Sequence, residues 1–140
     1  MQKTKGFTII ELIVVIAIIA VLAAIVLVNV TGYINKSKNA AIKGNMATIM
    51  TNAATFFDSV TSYNGFTAST GFTVPEAAIE SAGGDVTKTT ATDNSAYCAC
   101  SALLTASDVT AGDTYCIDST GAKKQTATAC ATECVAGVCQ

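Results

Sequence analysis

The chain has no histidine, and this absence removes a side chain on which many enzymes depend. Histidine is the side chain whose unperturbed pKa lies closest to neutral pH, and it is the commonest metal ligand in proteins. The sequence also lacks a GxSxG nucleophile elbow, a phosphate-binding P-loop and an HExxH zinc motif. We therefore expect a protein that is not an enzyme, and we predict no catalytic residue.

Basic residues are scarce as well. Eight Lys and Arg residues face ten Asp and Glu residues, which gives a net charge of −2 at pH 7. Proteins that bind nucleic acid usually carry a basic stripe or patch, and the sequence shows none. Nucleic acid is therefore not an expected partner.

Proline is rare in the whole chain, and large apolar side chains are rare in its second half. Pro75 is the single proline, so no proline interrupts residues 7–57. After Tyr63 the chain is rich in Ala, Thr, Ser and Gly. Such a segment buries too little apolar surface to offset its conformational entropy by burial alone. A further stabilising device is expected in this half.

Six cysteines in the last third of the chain supply that device. An even number of cysteines in a small domain outside the cytoplasm predicts a disulfide framework, with each bridge contributing about 2–4 kcal/mol. Six cysteines leave about 15 connectivities open. A metal site is the less favoured reading, because paired CxxC spacing and histidine are both absent. The candidate disulfide residues are Cys98, Cys100, Cys116, Cys130, Cys134 and Cys139.

Three carboxylates raise the question of a calcium ion. Asp108, Asp113 and Asp118 recur at intervals of five, beside Gly112 and Gly121. Calcium prefers hard oxygen ligands of this kind, although the spacing is not that of an EF-hand loop. Solvated carboxylates in turns explain the pattern equally well. We expect no cofactor, and calcium remains a minor alternative at these positions.

The N-terminal region contains the longest apolar segment of the sequence. Residues 12–28 carry no charge and no hydrogen-bonding side chain. As a helix, residues 7–28 extend over about 33 Å, enough to cross the hydrocarbon core of a bilayer. Glu11 lies at the edge of this segment, where an ionised carboxylate costs about 2.5–3.5 kcal/mol if it reaches mid-membrane. Such a group needs a partner.

Residues 5–12, which read KGFTIIEL, resemble the class III signal of type IV prepilins and pseudopilins. The matching features are the basic leader at 1–6, Phe7 after the junction and Glu11 five positions into the mature chain. The resemblance implies cleavage after Gly6 by a prepilin peptidase and N-methylation of Phe7. It also implies that Glu11 meets the N-terminal amine of a neighbouring subunit, so the expected assembly residues are Phe7, Thr8 and Glu11.

Other readings of the N-terminus remain open. An ordinary secretory signal has a shorter apolar region of about 7–15 residues, and a plain anchor explains neither Gly6 nor Glu11. The lysines on the two sides of the segment do not fix its orientation. Many family members carry a proline and a glycine where this chain has Val28 and Ala20, so the resemblance leaves open whether the helix melts on assembly.

The remaining pattern predicts an α+β fold. Apolar residues recur at spacings of three and four beyond residue 29, which predicts one helix over about 7–59. A loop is expected up to residue 73, followed by a short helix at 76–81 that Pro75 opens. Further expected elements are a flexible connector at 85–95, antiparallel strands at 96–104, 113–118 and 123–128, and an irregular cysteine-pinned tail from Cys130.

These predictions combine into a domain plan: a leader at 1–6, a transmembrane and filament-core helix at 7–28, its amphipathic continuation at 29–60, and a small extracytoplasmic domain at 61–140. The expected function is that of a structural subunit of a type IV pilus-like filament, acting in adhesion, motility or DNA uptake. A type II secretion pseudopilin is one alternative, and a membrane-anchored cysteine-rich binding module that never polymerises is another.

The resemblance also implies where the chain resides and what it contacts. Its expected partners are itself or other pilins in a helical filament, prepilin peptidase, an inner-membrane assembly platform and the lipid bilayer. The precursor is expected as a single-pass protein of the cytoplasmic membrane. The assembled form is expected as an extracellular or periplasmic filament.

Overall fold

The computed structural model describes residues 6–140, with the backbone alone for residues 27–29. The predicted leader at 1–6 therefore lies outside the described residues except for Gly6. The chain folds as one long N-terminal helix packed against a second helix and a small antiparallel sheet, with three disulfides in the C-terminal region. This architecture confirms the predicted α+β fold.

Helix α1 runs without interruption over Ile9–Val60, a length of 52 residues. It begins at the N-cap Thr8 and ends at Thr61, which adopts a left-handed conformation with φ 53°. The predicted bounds of 7–59 are thus correct within two residues. The backbone stays helical across residues 20–28, which include Ala20 and Val28.

The second half of α1 supplies one wall of the core. Ile42, Met46, Ile49 and Ala53 recur at spacings of four, three and four, and all are buried. They pack with aromatic side chains from the rest of the domain, among them Tyr63, Phe66, Phe72 and Tyr97. The rings of Phe66 and Tyr97 lie 5.2 Å apart between centroids, close enough for favourable edge-to-face contact.

Helix α2 spans Thr70–Ala82 and follows a short 3-10 turn at Phe66–Ala68. The expected loop up to residue 73 and helix start at Pro75 were wrong, because Pro75 lies inside α2. Its missing N–H leaves the carbonyl of Gly71 without a helical donor. Asn52 of α1 supplies that donor, with Nδ2 2.7 Å from the Gly71 oxygen. A tertiary contact thus allows the helix to begin earlier than the local sequence indicates.

The main sheet has four antiparallel strands in chain order: β1 at Val86–Thr90, β2 at Tyr97–Ala102, β3 at Thr114–Asp118 and β4 at Lys123–Thr126. The last three match the predicted strands. The prediction of a flexible connector at 85–95 was wrong over its first half, because β1 pairs in register with β2. The polar, Thr-rich composition of this segment concealed a strand that depends on a non-local partner.

The tail after residue 129 is ordered rather than irregular. It forms the short helix α3 at Cys130–Glu133 and a hairpin of β5 at Cys134–Val135 and β6 at Val138–Cys139. The hairpin turn places Ala136 at φ 51° and Gly137 at φ 82°. A Cβ on Gly137 would lie 2.9 Å from the backbone of Ala96, so this glycine allows the hairpin to rest on the chain before β2.

Candidate functional site

The start of α1 is closed by a reciprocal pair of side chains. The N–H and the hydroxyl of Thr8 both donate to Glu11 Oε2, at 2.9 and 2.7 Å. The N–H of Glu11 donates in return to Thr8 Oγ1 at 3.3 Å. This arrangement is a capping box, in which the N-cap residue and the third helical residue satisfy donors that the helix leaves unpaired.

The capping box determines which oxygen of the Glu11 carboxylate accepts hydrogen bonds. Within the described part of the chain, its hydrogen bonds all go to Oε2 and all come from Thr8. The predicted assembly residues Thr8 and Glu11 are thus in direct contact, whereas Phe7 is exposed over 76% of its surface. A single turn of helix therefore presents a capped carboxylate beside an uncovered aromatic ring.

The first half of α1 has no covering from the rest of the described chain. Every described side chain from residue 6 to residue 26 is exposed. By length and composition, α1 contains an apolar stretch capable of crossing a membrane, none of it buried. Small residues that permit close approach of a second helix recur along it, at Ala17, Ala20, Ala23 and Ala24.

Two asparagines attach the globular domain to the middle of α1. Asn39 donates to the carbonyl of Leu104 at 2.6 Å and accepts from the N–H of Leu104 at 2.8 Å. Asn35 donates to the carbonyl of Thr105 at 2.8 Å. These bonds satisfy the backbone of the loop after β2, and the domain is therefore held against α1 from residue 35 onward. Sequence reasoning missed them because each pair is separated by 65 or 70 positions.

The six cysteines form the predicted disulfide framework. The pairs are Cys98–Cys134, Cys100–Cys130 and Cys116–Cys139, which resolve the connectivity that the sequence left open. Strand β2 supplies two of the cysteines, and the bridges join it and β3 to the C-terminal tail. In the described chain, the sulfurs close enough together to suggest a metal site are those of Cys98, Cys116 and Cys134, and all three are disulfide-bonded.

The disulfides are packed against one another. Cys98 Sγ lies 3.3 Å from Cys116 Sγ and 3.8 Å from Cys139 Sγ, so two bridges are in contact. Cys98, Cys100 and Cys116 are fully buried. This sulfur cluster forms a second core beside the aromatic one and compensates for the few large apolar residues in the tail.

Of the three carboxylates considered for calcium, Asp118 is the most enclosed, with 1% of its surface exposed. It accepts hydrogen bonds from the Thr120 hydroxyl at 2.6 Å, from the N–H groups of Thr120 and Ala122, and from the Cys139 N–H at 3.0 Å. Burial raises the pKa of the carboxyl, but these hydrogen bonds outweigh it and the pKa falls below its usual value. Asp118 thus ties the β3–β4 turn to β6.

The other two aspartates have different roles. Asp113 accepts from the N–H and hydroxyl of Thr110, at 3.1 and 2.6 Å, and from the side chain of Gln125. The hydrogen bonds from Thr110 lower the pKa of Asp113. Asp108 is exposed in the loop before this turn. Asp113 and Asp118 each organise a separate turn, and calcium at these positions stays the minor alternative that the sequence left open.

Two features of the domain were not visible in the sequence. A groove of about 640 Å³ runs between α1 and α2, lined by hydroxyl-bearing side chains together with Phe56 and Val74. The hydroxyl of Tyr97 is buried with no hydrogen-bond partner among the described residues. Burial, with the nearby Tyr63 and Asp118, raises the pKa of Tyr97 well above its usual value.

Comparison with known proteins gives one match. The family described as "Prokaryotic N-terminal methylation motif" matches residues 1–27. No curated protein and no solved structure matches the chain. The match covers the basic leader, the capped start of α1 and most of its apolar half, and it indicates a structural protein and a membrane-anchored precursor. The first 27 residues are a type IV pilin-like class III signal.

Proposed function

We propose that this chain is a structural subunit of a type IV pilus-like filament. The observation that carries the proposal is the continuity of α1. The methylation motif at residues 1–27 leads directly into a single helix of 52 residues, whose first half is uncovered and whose second half bears a disulfide-stabilised domain. Such a subunit can bury its apolar half against identical helices while its domain faces outward.

Processing creates the charge that assembly uses. Cleavage after Gly6 frees the amine of Phe7 in the apolar environment where Glu11 also lies. Burying an unpaired carboxylate or an unpaired amine costs several kcal/mol. Removing one partner from a buried ion pair destabilises a protein by about 3–5 kcal/mol. Pairing between adjacent subunits therefore supplies each ionised group with its partner and fixes their axial register.

Thr8 has a defined part in this mechanism. It holds Glu11 by Oε2 before assembly, so the carboxylate is hydrogen-bonded while the subunit is still surrounded by lipid. The bonds to Thr8 leave Oε1 for the amine of the neighbouring Phe7. The capping box thus keeps the carboxylate at the helix terminus in the orientation that assembly requires.

The test is to express the full chain with a prepilin peptidase and an assembly platform. Intact mass should show loss of residues 1–6 and gain of one methyl group, and the sheared fraction should contain filaments. Glu11→Gln retains a capping-box side chain but removes the charge. This variant should insert and be cleaved normally yet form no filaments.

Glu80→Gln is the matched control, since Glu80 is an exposed acid on α2 far from the N-terminus in sequence. It should assemble as well as the parent chain. Normal filaments from Glu11→Gln would overturn the pairing mechanism. A parent chain that inserts but is neither cleaved nor assembled would instead assign the protein to the membrane-anchored cysteine-rich binding modules.

A further inference from the structure

Helix α1 changes character just beyond its apolar half. Residues 12–28 carry no charge, whereas Tyr33, Lys36 and Lys38 follow within ten positions. All three side chains are exposed, and Tyr33 is exposed over 73% of its surface. An exposed aromatic ring followed by exposed lysines is the pattern that marks the boundary between hydrocarbon and lipid headgroups.

The positions of these residues along the helix fit that boundary. At about 1.5 Å per residue, Tyr33 lies roughly 8 Å, Lys36 roughly 12 Å and Lys38 roughly 15 Å beyond residue 28. The headgroup region extends about 5–8 Å beyond the hydrocarbon on each side. Tyr33 therefore reaches the headgroup level. The lysines reach back toward it with their flexible stems, which is the usual behaviour of lysine near a helix end in membranes.

The side chains of the two lysines also have no polar partner among the described residues. In the described part of the chain, neither Lys36 nor Lys38 makes an ion pair or a side-chain hydrogen bond. Lys43 provides the contrast, because it donates to Gln125 at 2.8 Å and lies 5.7 Å from the ring centroid of Tyr115. The globular domain thus engages the third lysine of α1 and leaves the first two exposed.

The attachment of the domain determines which surface faces the membrane. Asn35 and Asn39 hold the loop after β2 by hydrogen bonds to Thr105 and Leu104. The domain consequently begins at the level of these asparagines, and Tyr33 precedes it on α1. Lys36 and Lys38 lie at the same level as the asparagines but are exposed rather than covered by the loop. They are therefore available to lipid while the domain is in place.

We infer that Tyr33, Lys36 and Lys38 form an interface collar that binds the anionic headgroups of the bilayer. The inference rests on the proposed function, whose precursor stage requires α1 to span a membrane. Each lysine ammonium donates hydrogen bonds to lipid phosphate oxygens, and Tyr33 anchors the helix at the headgroup level. The collar sets the height of the domain above the bilayer, and these contacts break when the subunit leaves the lipid.

The experiment uses the full chain in nanodiscs of phosphatidylcholine with and without phosphatidylglycerol. Competition between the two lipids, read by native mass spectrometry, measures the preference for the anionic lipid. A lysine near an anionic surface contributes about fivefold to such a preference. Lys36→Gln and Lys38→Gln should therefore each lower it about fivefold, and high salt should have the same effect.

Lys123→Gln is the matched control, because it removes one exposed lysine from β4 on the globular domain. It should leave the preference unchanged. The sequence has no tryptophan, so Tyr33→Trp introduces a single fluorescent probe. Quenching by brominated lipids should place its indole at the headgroup boundary.

The negative results have different meanings. A chain that inserts but shows no preference for the anionic lipid, or one in which Lys123→Gln has the same effect as Lys36→Gln, overturns the collar and leaves the filament proposal intact. An indole that no brominated lipid quenches lies outside the headgroup boundary and overturns the collar alone, whereas a chain that does not co-purify with the nanodiscs has not entered the bilayer. That result overturns the collar and the proposed function together.

Discussion

Asn52 of α1 donates a 2.7 Å hydrogen bond to the carbonyl oxygen of Gly71 in α2. This carbonyl is the acceptor that Pro75 cannot reach, because proline has no N–H. The backbone of α2 also approaches α1 closely here, since a Cβ added to Gly71 would lie 3.3 Å from the Cβ of Asn52. One asparagine thus completes the neighbouring helix and joins the two helices where they approach closely.

Asn52→Ala should lower the free energy of unfolding by about 1–3 kcal/mol, the cost of leaving a partly buried acceptor unpaired. Pro75→Ala in the same chain restores an N–H to α2 and should recover part of that loss. Thermal unfolding of the full chain in detergent, followed by the circular dichroism of the buried tyrosines, measures both effects.

Asn45→Ala is a suitable control, because among the described residues the Asn45 side chain bonds only to its own helix, at the carbonyl of Ala41. It should change the free energy of unfolding by less than about 0.5 kcal/mol. Equal losses from Asn45→Ala and Asn52→Ala would contradict a specific role for the Gly71 contact.

The contact between two disulfides makes one cysteine variant prone to exchange. In Cys134→Ala, the freed thiol of Cys98 lies 3.3 Å from Cys116 Sγ. Its thiolate can attack that sulfur, form a Cys98–Cys116 bond and release Cys139 as a thiol. Non-reduced peptide mapping should therefore find a mixture of disulfide isomers. Cys130→Ala frees Cys100 instead and should retain the other two native bridges; a single isomer in both variants would contradict this prediction.

Asp118 should make stability sensitive to acid. Hydrogen bonds hold its pKa in the folded chain below the ordinary value of 3.8, despite burial. Its contribution is therefore fully present above about pH 4 and is lost as the pH falls through the folded pKa. Asp118→Asn should cost about 1–3 kcal/mol at neutral pH and reduce the fall in melting temperature between pH 5 and pH 2. If the melting temperature of the variant falls as much between pH 5 and pH 2 as that of the parent chain, other carboxylates dominate the acid sensitivity.

Tyr97→Phe removes a buried hydroxyl that has no partner among the described residues. The substitution should raise the free energy of unfolding by about 1 kcal/mol, because the desolvation cost of the hydroxyl disappears. At alkaline pH the parent chain should lose stability, since the unfolded tyrosine ionises near pH 10 while burial keeps the folded pKa higher. Tyr97→Phe should weaken this dependence. Destabilisation of the variant at neutral pH would indicate that the hydroxyl is hydrogen-bonded in solution.

The long helix was predictable because its signal is local. The spacing of Ile42, Met46, Ile49 and Ala53 identifies both the helix and its buried face. The apolar run after Phe7 likewise indicated where α1 starts, but the capping box between Thr8 and Glu11 was not predicted. Strand β1 was not predictable in this way, because Thr87, Lys88 and Thr89 have no apolar alternation and become a strand only by pairing with β2.

Contacts between distant positions were the part that sequence could not supply. Nothing near Asn52 indicates that it will cap a carbonyl 19 positions away, and nothing near Asn39 indicates its bonds to Leu104. The cysteine count predicted a disulfide framework without its pairing, because the pairing depends on how the tail lies across β2 and β3. Composition therefore predicted the type of stabilisation, and the fold determined its location.

The disulfide pairing has a mechanical consequence. In the proposed filament, a pulling force would pass from α1 into the domain, whose bridges all lie between Cys98 and Cys139. The part of the chain that these bridges enclose cannot be pulled straight while the bridges are intact. Extension is then confined chiefly to residues 61–97, each of which yields at most about 3.6 Å when drawn straight. A subunit with its disulfides intact can therefore be extended only a limited distance by a pulling force. A subunit with reduced disulfides could be extended much further.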